Sequence, residues 1–103
     1  MMKYGLLMAL CFFVAHSAQK PAVFERCIAC HGEQGQHIAP GSKGNITIAG
    51  LSKQKVIADL RGYRAKTANN GGAKNVMYIQ AQNLSDEEIE ALASYISTLP
   101  KAP

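Results

Sequence analysis

The residues with the most specific chemistry are Cys27-Ile28-Ala29-Cys30-His31. Two thiols three positions apart, followed at once by an imidazole, form the C-x-x-C-H run at which a c-type haem is attached. Each thiol can add across one vinyl group of a single haem. The two vinyls lie on adjacent edges of one rigid ring, so the cysteines must be close together. The histidine after the second cysteine is then held under the iron as an axial ligand. Other chemistries for these residues want surroundings the chain lacks. A thioredoxin-like C-x-x-C belongs in a βαβ unit, and no strand-like run flanks this one. A structural zinc site needs four ligands. Cys27, Cys30, His31 and His37 would all come from one short stretch rather than from two spaced pairs. A Cys27–Cys30 disulfide would close a very small loop and stabilise little.

Haem iron in an electron carrier takes two strong axial ligands. With His31 as the first, the candidates for the second are Met77, the only methionine after Met8, and His37, the only histidine after His31. His37 follows His31 by six residues in a glycine-rich loop, too few to reach round to the far face. Met77 follows His31 by 46 residues, just ahead of a well-capped helix, and can approach from the other side. Met77 is the expected ligand, weighed against a gap-filling core methionine, and His37 is expected to be an exposed loop residue. A His–Met pair raises the reduction potential. It also fills both axial positions, which suits reversible one-electron exchange rather than substrate turnover, so no enzyme activity is expected. The rival is a ligand-binding or peroxidase-like haem protein in which Met77 leaves the iron easily.

The ends of the chain bear on where this chemistry happens. Lys3 precedes an apolar run from Gly5 to Ala15, and the small residues Ala15, Ser17 and Ala18 follow. That run has the length of a signal h-region and is short for a bilayer span. Residues 1–18 are therefore expected to be a secretory signal peptide, cleaved after Ser17 or Ala18. The alternative is retention as an anchor. Haem c is attached on the outer side of the bacterial inner membrane, so export to the periplasm fits the motif. Residues 19–103 then form one small domain. A core of that size usually needs a staple or a cofactor, and its only two cysteines are in the motif. Haem, covalently bound and carrying iron, is the missing core, and the chain without it should fold poorly.

The formal net charge of the full sequence is +4. This mild excess does not suit a nucleic-acid binder. Lys53, Lys55, Arg61, Arg64, Lys66 and Lys74 fall mid-chain, while Asp86, Glu87, Glu88 and Glu90 cluster late. Such a dipole could steer docking to a redox partner, or it is ordinary solvation.

The elements that must position the motif are helical. Pro21 to Ile28 reads as a short helix with Val23, Phe24, Cys27 and Ile28 on one face. Gly32 to Asn45 is an irregular loop, and Ile46-Thr47-Ile48-Ala49 is a brief apolar stretch expected to cover a haem edge. Ser52 caps a helix from Lys53 to about Tyr63, striped by Val56, Ile57, Leu60 and Tyr63, with Gly62 weakening its last turn. Lys66 to Lys74 is a loop leading to Met77, and Tyr78 to Ala81 a further short turn or helix. Ser85 and Glu88 make a capping box, with Leu84 and Ile89 at the staple positions. Ile89, Leu92, Ala93 and Ile96 give the last helix one buried stripe before Pro100.

The motif, the late Met77 and the ending Asn83-Leu84-Ser85-Asp86-Glu87-Glu88-Ile89-Glu90-Ala91-Leu92-Ala93-Ser94-Tyr95-Ile96 resemble the class I c-type cytochromes. Within them the chain is most similar to the small bacterial monohaem group of the cytochrome c-553 type. That resemblance implies an all-α class I fold of three to five short helices and loops around one haem. It implies that the first and last helices cross, with Phe24 meeting Tyr95, and that the Pro40 carbonyl accepts the second N–H of His31. Arg61, Tyr63 and Arg64 become possible propionate partners, against a solvated helix face. The resemblance also implies a soluble monomer with transient redox partners. The donor would be a quinol-oxidising complex, and the acceptor a terminal oxidase or a periplasmic reductase or peroxidase.

Overall fold

The computed structural model describes residues 19–101. The expected signal peptide, residues 1–18, lies outside the described residues. Residues 19–101 form four α-helices and no strand: α1 (Glu25–His31), α2 (Lys53–Arg64), α3 (Lys74–Ala81) and α4 (Asp86–Ile96). A 3-10 turn, Ala22–Phe24, leads into α1.

Pro21 stands at the start of that turn, at φ −73°, and its carbonyl accepts the Phe24 N–H at 2.9 Å. Proline cannot donate there, and an entry position asks for no donor. Helix α1 runs on to His31, three residues past the sequence expectation, so both cysteines and the histidine lie on a single helix. Gly32 stops it at φ +88°, where its N–H closes on Ile28 O at 2.8 Å. A side chain there would be strained, and its Cβ would meet the His37 ring at 3.0 Å.

Helix α2 starts where Ser52 accepts from Lys55 N at 3.1 Å. It does not fray at Gly62. The helix continues to Arg64 because the chain beyond it folds back, and Thr67 N and Ala68 N both donate to Gly62 O. Helix α3 begins at Lys74, so Met77 sits in mid-helix rather than on a loop. Its first turn has no side-chain cap, which is why sequence signals did not mark it. Helix α4 carries the full capping box: Glu88 N donates to Ser85 Oγ and Ser85 N to Glu88 Oε1, each at 3.0 Å.

The core lies where α2 packs on α4 and the 3-10 turn on α4. Phe24, Ile89 and Leu92 are its fully buried large side chains. Leu84 and Ile89 at the staple positions are both buried, as are Leu92, Ala93 and Ile96 along α4. Phe24 and Tyr95 meet edge to face, with ring centroids 5.1 Å apart at 72°, a favoured aromatic geometry. The 3-10 turn that leads into α1 is thereby joined to α4 beside the motif. Arg64 ties α2 to the entry of α4. It donates to Leu84 O at 3.1 Å and pairs with Asp86 at 2.8 Å.

Candidate functional site

Helix α2 also packs on α3, and between α1, α2, α3 and the loop of residues 32–51 runs a cleft of about 330 Å³. Cys27, Cys30 and His31 line it from α1, and Met77 lines it from α3. Val56, Leu60 and Tyr63 supply the α2 wall, and Leu92 and Ile96 the floor from α4. Four residues chosen from sequence for their chemistry thus face one space. Cys27 and Cys30 are free of a disulfide.

The lining is mostly apolar, and parts of it are exposed to water. Ile46 is 76 % exposed and Val76 51 % exposed, although both lie on the cleft wall. Apolar side chains left open in this way mark a surface built to be covered by an apolar group. A flat ring of haem size, carrying two vinyl groups and an iron, fits this donor set: two thiols, one imidazole, one thioether, and apolar walls between them.

Burial sets the protonation of the α1 groups. It pushes the Cys27 thiol up to about 11, with Arg26 opposing the shift and Cys30 adding slightly to it. It lowers His31 below the ordinary imidazole value. At neutral pH Cys27 therefore carries its proton and His31 is neutral, with a ring nitrogen lone pair free to coordinate a metal. Among the described residues the His31 ring has no hydrogen-bond partner. The expected bond to the Pro40 carbonyl is not made, although Pro40 lines the cleft beside His31. The loop holds its shape through other bonds: His37 N to His31 O at 2.9 Å, and Ala49 N to Gly35 O at 3.0 Å.

His37 is exposed on that loop and does not line the cleft. Among the described residues no three His, Cys, Asp or Glu side chains are grouped to hold a metal ion, so the four-ligand zinc arrangement is not formed. Of the propionate candidates, Tyr63 lines the cleft. Its hydroxyl accepts from Asn70 N at 3.2 Å, and Tyr78 beside it donates to Ala68 O at 2.8 Å. Arg64 is committed to Leu84 and Asp86, and Arg61 is not on the cleft wall.

Sequence reasoning missed three polar wall elements. Arg26 donates from α1 to Gln80 O on α3 at 3.3 Å, bridging the helices that bear the sulfur and imidazole groups. Lys43 N donates to Gly71 O at 2.6 Å, joining the two long loops. Lys55 and Asp59 pair on the α2 wall. Only the last pair had a signal in sequence, since both residues flank the Val56–Leu60 stripe on the same helix.

An all-α fold wrapped round an apolar cleft, with a C-x-x-C-H helix on one wall, defines a small class I haem protein. Residues 18–100 match the family described as Cytochrome c, and the chain belongs to that family. It is 38 % identical over 79 residues to cytochrome c-553 of Helicobacter pylori strain J99, covering 76 % of this chain and 75 % of that protein. It is 34 % identical over 93 residues to cytochrome c-553 of Nitratidesulfovibrio vulgaris, with 88 % of each chain covered. It is 39 % identical over 72 residues to cytochrome c-554(548) of Halomonas halodenitrificans, covering 70 % and 82 % respectively. The protein is a haem-c electron carrier with one covalently bound, iron-containing haem. No helix among the described residues is long and apolar enough to cross a membrane.

Proposed function

We propose that this chain is an exported one-electron carrier whose haem is bonded through Cys27 and Cys30 and whose iron is held between His31 and Met77. The observation that carries the reading is the shared cleft, with both thiols and the imidazole on α1 and the thioether on α3. Bound there, the haem supplies a one-electron couple at its iron. The rest of the chemistry belongs to the chain. His31, kept neutral by burial, offers a lone pair rather than a proton. Met77, a neutral thioether in mid-helix, favours the reduced metal and raises the potential. With haem seated against the apolar walls, Val56, Leu60 and Ile48 would shield it from water, and iron held by both His31 and Met77 would offer no open position to an oxidising substrate. Helix α3 packs on α2, and α1 is tied to the core through the 3-10 turn, which would limit rearrangement when the charge changes.

Residues 1–18 serve as a signal peptide removed after Ser17 or Ala18, and the mature protein works in the periplasm as a monomer. A quinol-oxidising complex supplies its electrons, and a terminal oxidase, reductase or peroxidase takes them, through small and short-lived contacts. Met77→Ala tests the ligand assignment. The variant should keep its covalent haem, lose the sulfur-to-iron absorption, show a lower potential and bind added cyanide or carbon monoxide readily. A spectrum and potential unchanged from wild type would remove Met77 from the iron.

A further inference from the structure

Lys55 and Asp59 stand one turn apart on α2 and are joined at 2.9 Å. Both line the cleft beside Val56, Leu60 and Tyr63. Asp59 is the better buried of the two, its side chain 21 % exposed against 48 % for Lys55. Among the described residues it is the only carboxylate on the cleft wall. The other charges there are Arg26 and Lys43, while Lys53, nearer the start of α2, is turned to Glu90 on α4 at 3.5 Å.

Helix stability does not account for the pair. The first turn of α2 holds Lys53 and Lys55 and no acidic residue, which opposes the helix dipole. Lysine placed before aspartate is also the weaker order for a pair four residues apart. Helix α4 of the same chain follows the opposite rule, with Asp86, Glu87 and Glu88 in its first turn. The placement makes sense with respect to the cleft, where two opposed charges sit against an apolar space.

We propose that the Lys55–Asp59 pair sets the reduction potential of the haem. This rests on the haem occupying the cleft as read above. The half-buried Asp59 carboxylate favours the more positive, oxidised iron, and the Lys55 ammonium favours the reduced iron. Held together, they keep the potential between the values each would impose alone. Charges facing a low-dielectric space interact more strongly than charges in water, so either member alone is felt at the metal.

Potentiometric titration of the holoprotein tests this with Lys55→Gln, Asp59→Asn and the double variant. Lys55→Gln should lower the ferrous-to-ferric ratio at a fixed solution potential by about three- to tenfold, and Asp59→Asn should raise it about as much. For one electron, tenfold corresponds to about 59 mV. The double variant should return to within about twofold of wild type. A merely structural role would move both single variants in the same direction by loosening the cleft. That result, or two unmoved potentials with normal haem spectra, overturns the proposal alone. Wild-type protein matured in a haem-attaching host yet carrying no covalent haem overturns the reading beneath it, and this proposal with it.

Discussion

Truncating Phe24 probes the joint that holds α1, with its C-x-x-C-H run, to the core. Phe24 is 0 % exposed and is packed in one cluster with Ile89 and Leu92, which are themselves fully buried on α4. Those neighbours are fixed by a capped helix and cannot collapse into the space, so Phe24→Ala should cost about 3–5 kcal/mol. Part of that loss is the edge-to-face contact with Tyr95 at 5.1 Å, worth about 0.5–1.5 kcal/mol beyond area burial. A double-mutant cycle of Phe24→Ala and Tyr95→Ala isolates it. The assay is guanidinium unfolding of the holoprotein, followed by helical circular dichroism and haem absorption together. The thioether-bound cofactor stays on the chain when it unfolds, so concentration does not enter. The double variant should be less destabilised than the sum of the singles by that aromatic coupling. A Phe24→Ala cost below about 1.5 kcal/mol, or strict additivity with Tyr95→Ala, would refute the packing argument.

Gly62→Ala should destabilise even though alanine is the better helix former by about 1 kcal/mol. Its Cβ would come within 2.9 Å of Ala68 Cβ, on a loop held by two N–H bonds to Gly62 O, and the expected net loss is about 1–3 kcal/mol by denaturant titration. A stabilised variant would show that the close approach is not rigid. Arg64→Ala should cost about 1.5 kcal/mol or more, because it removes a charged donor from Leu84 O. Asp86→Asn should cost less than about 1 kcal/mol, since that carboxylate is 66 % exposed. Equal costs would show that the ion pair, not the carbonyl bond, ties α2 to α4.

The sequence was most legible where chemistry and local geometry agree. The α4 capping box, its staple and its buried stripe appear as read, because Ser85, Glu88 and Ile89 act within one turn of each other. The C-x-x-C-H run and Met77 line one cleft, because α1 and α3 both border the space beside α2. The boundary of α3 was not legible, because Ala73 and Lys74 carry no capping signal and tertiary packing on α2 decides that helix. Gly62 was misread as a weak point for a related reason: its missing side chain makes room for Ala68, a contact between residues on either side of a turn. The expected Pro40 bond came from resemblance rather than from local pattern, and the irregular loop around it follows its own backbone bonds.

The central claim is that one haem lies between His31 and Met77 in this cleft. The most direct measurement is the optical spectrum of the mature holoprotein, oxidised and then reduced. Sharp c-type bands on reduction, together with a weak far-red sulfur-to-iron band when oxidised, are the predicted result. Haem bands without the far-red feature would contradict Met77 ligation, and a protein matured in a haem-attaching host yet carrying no covalent haem would contradict the whole reading.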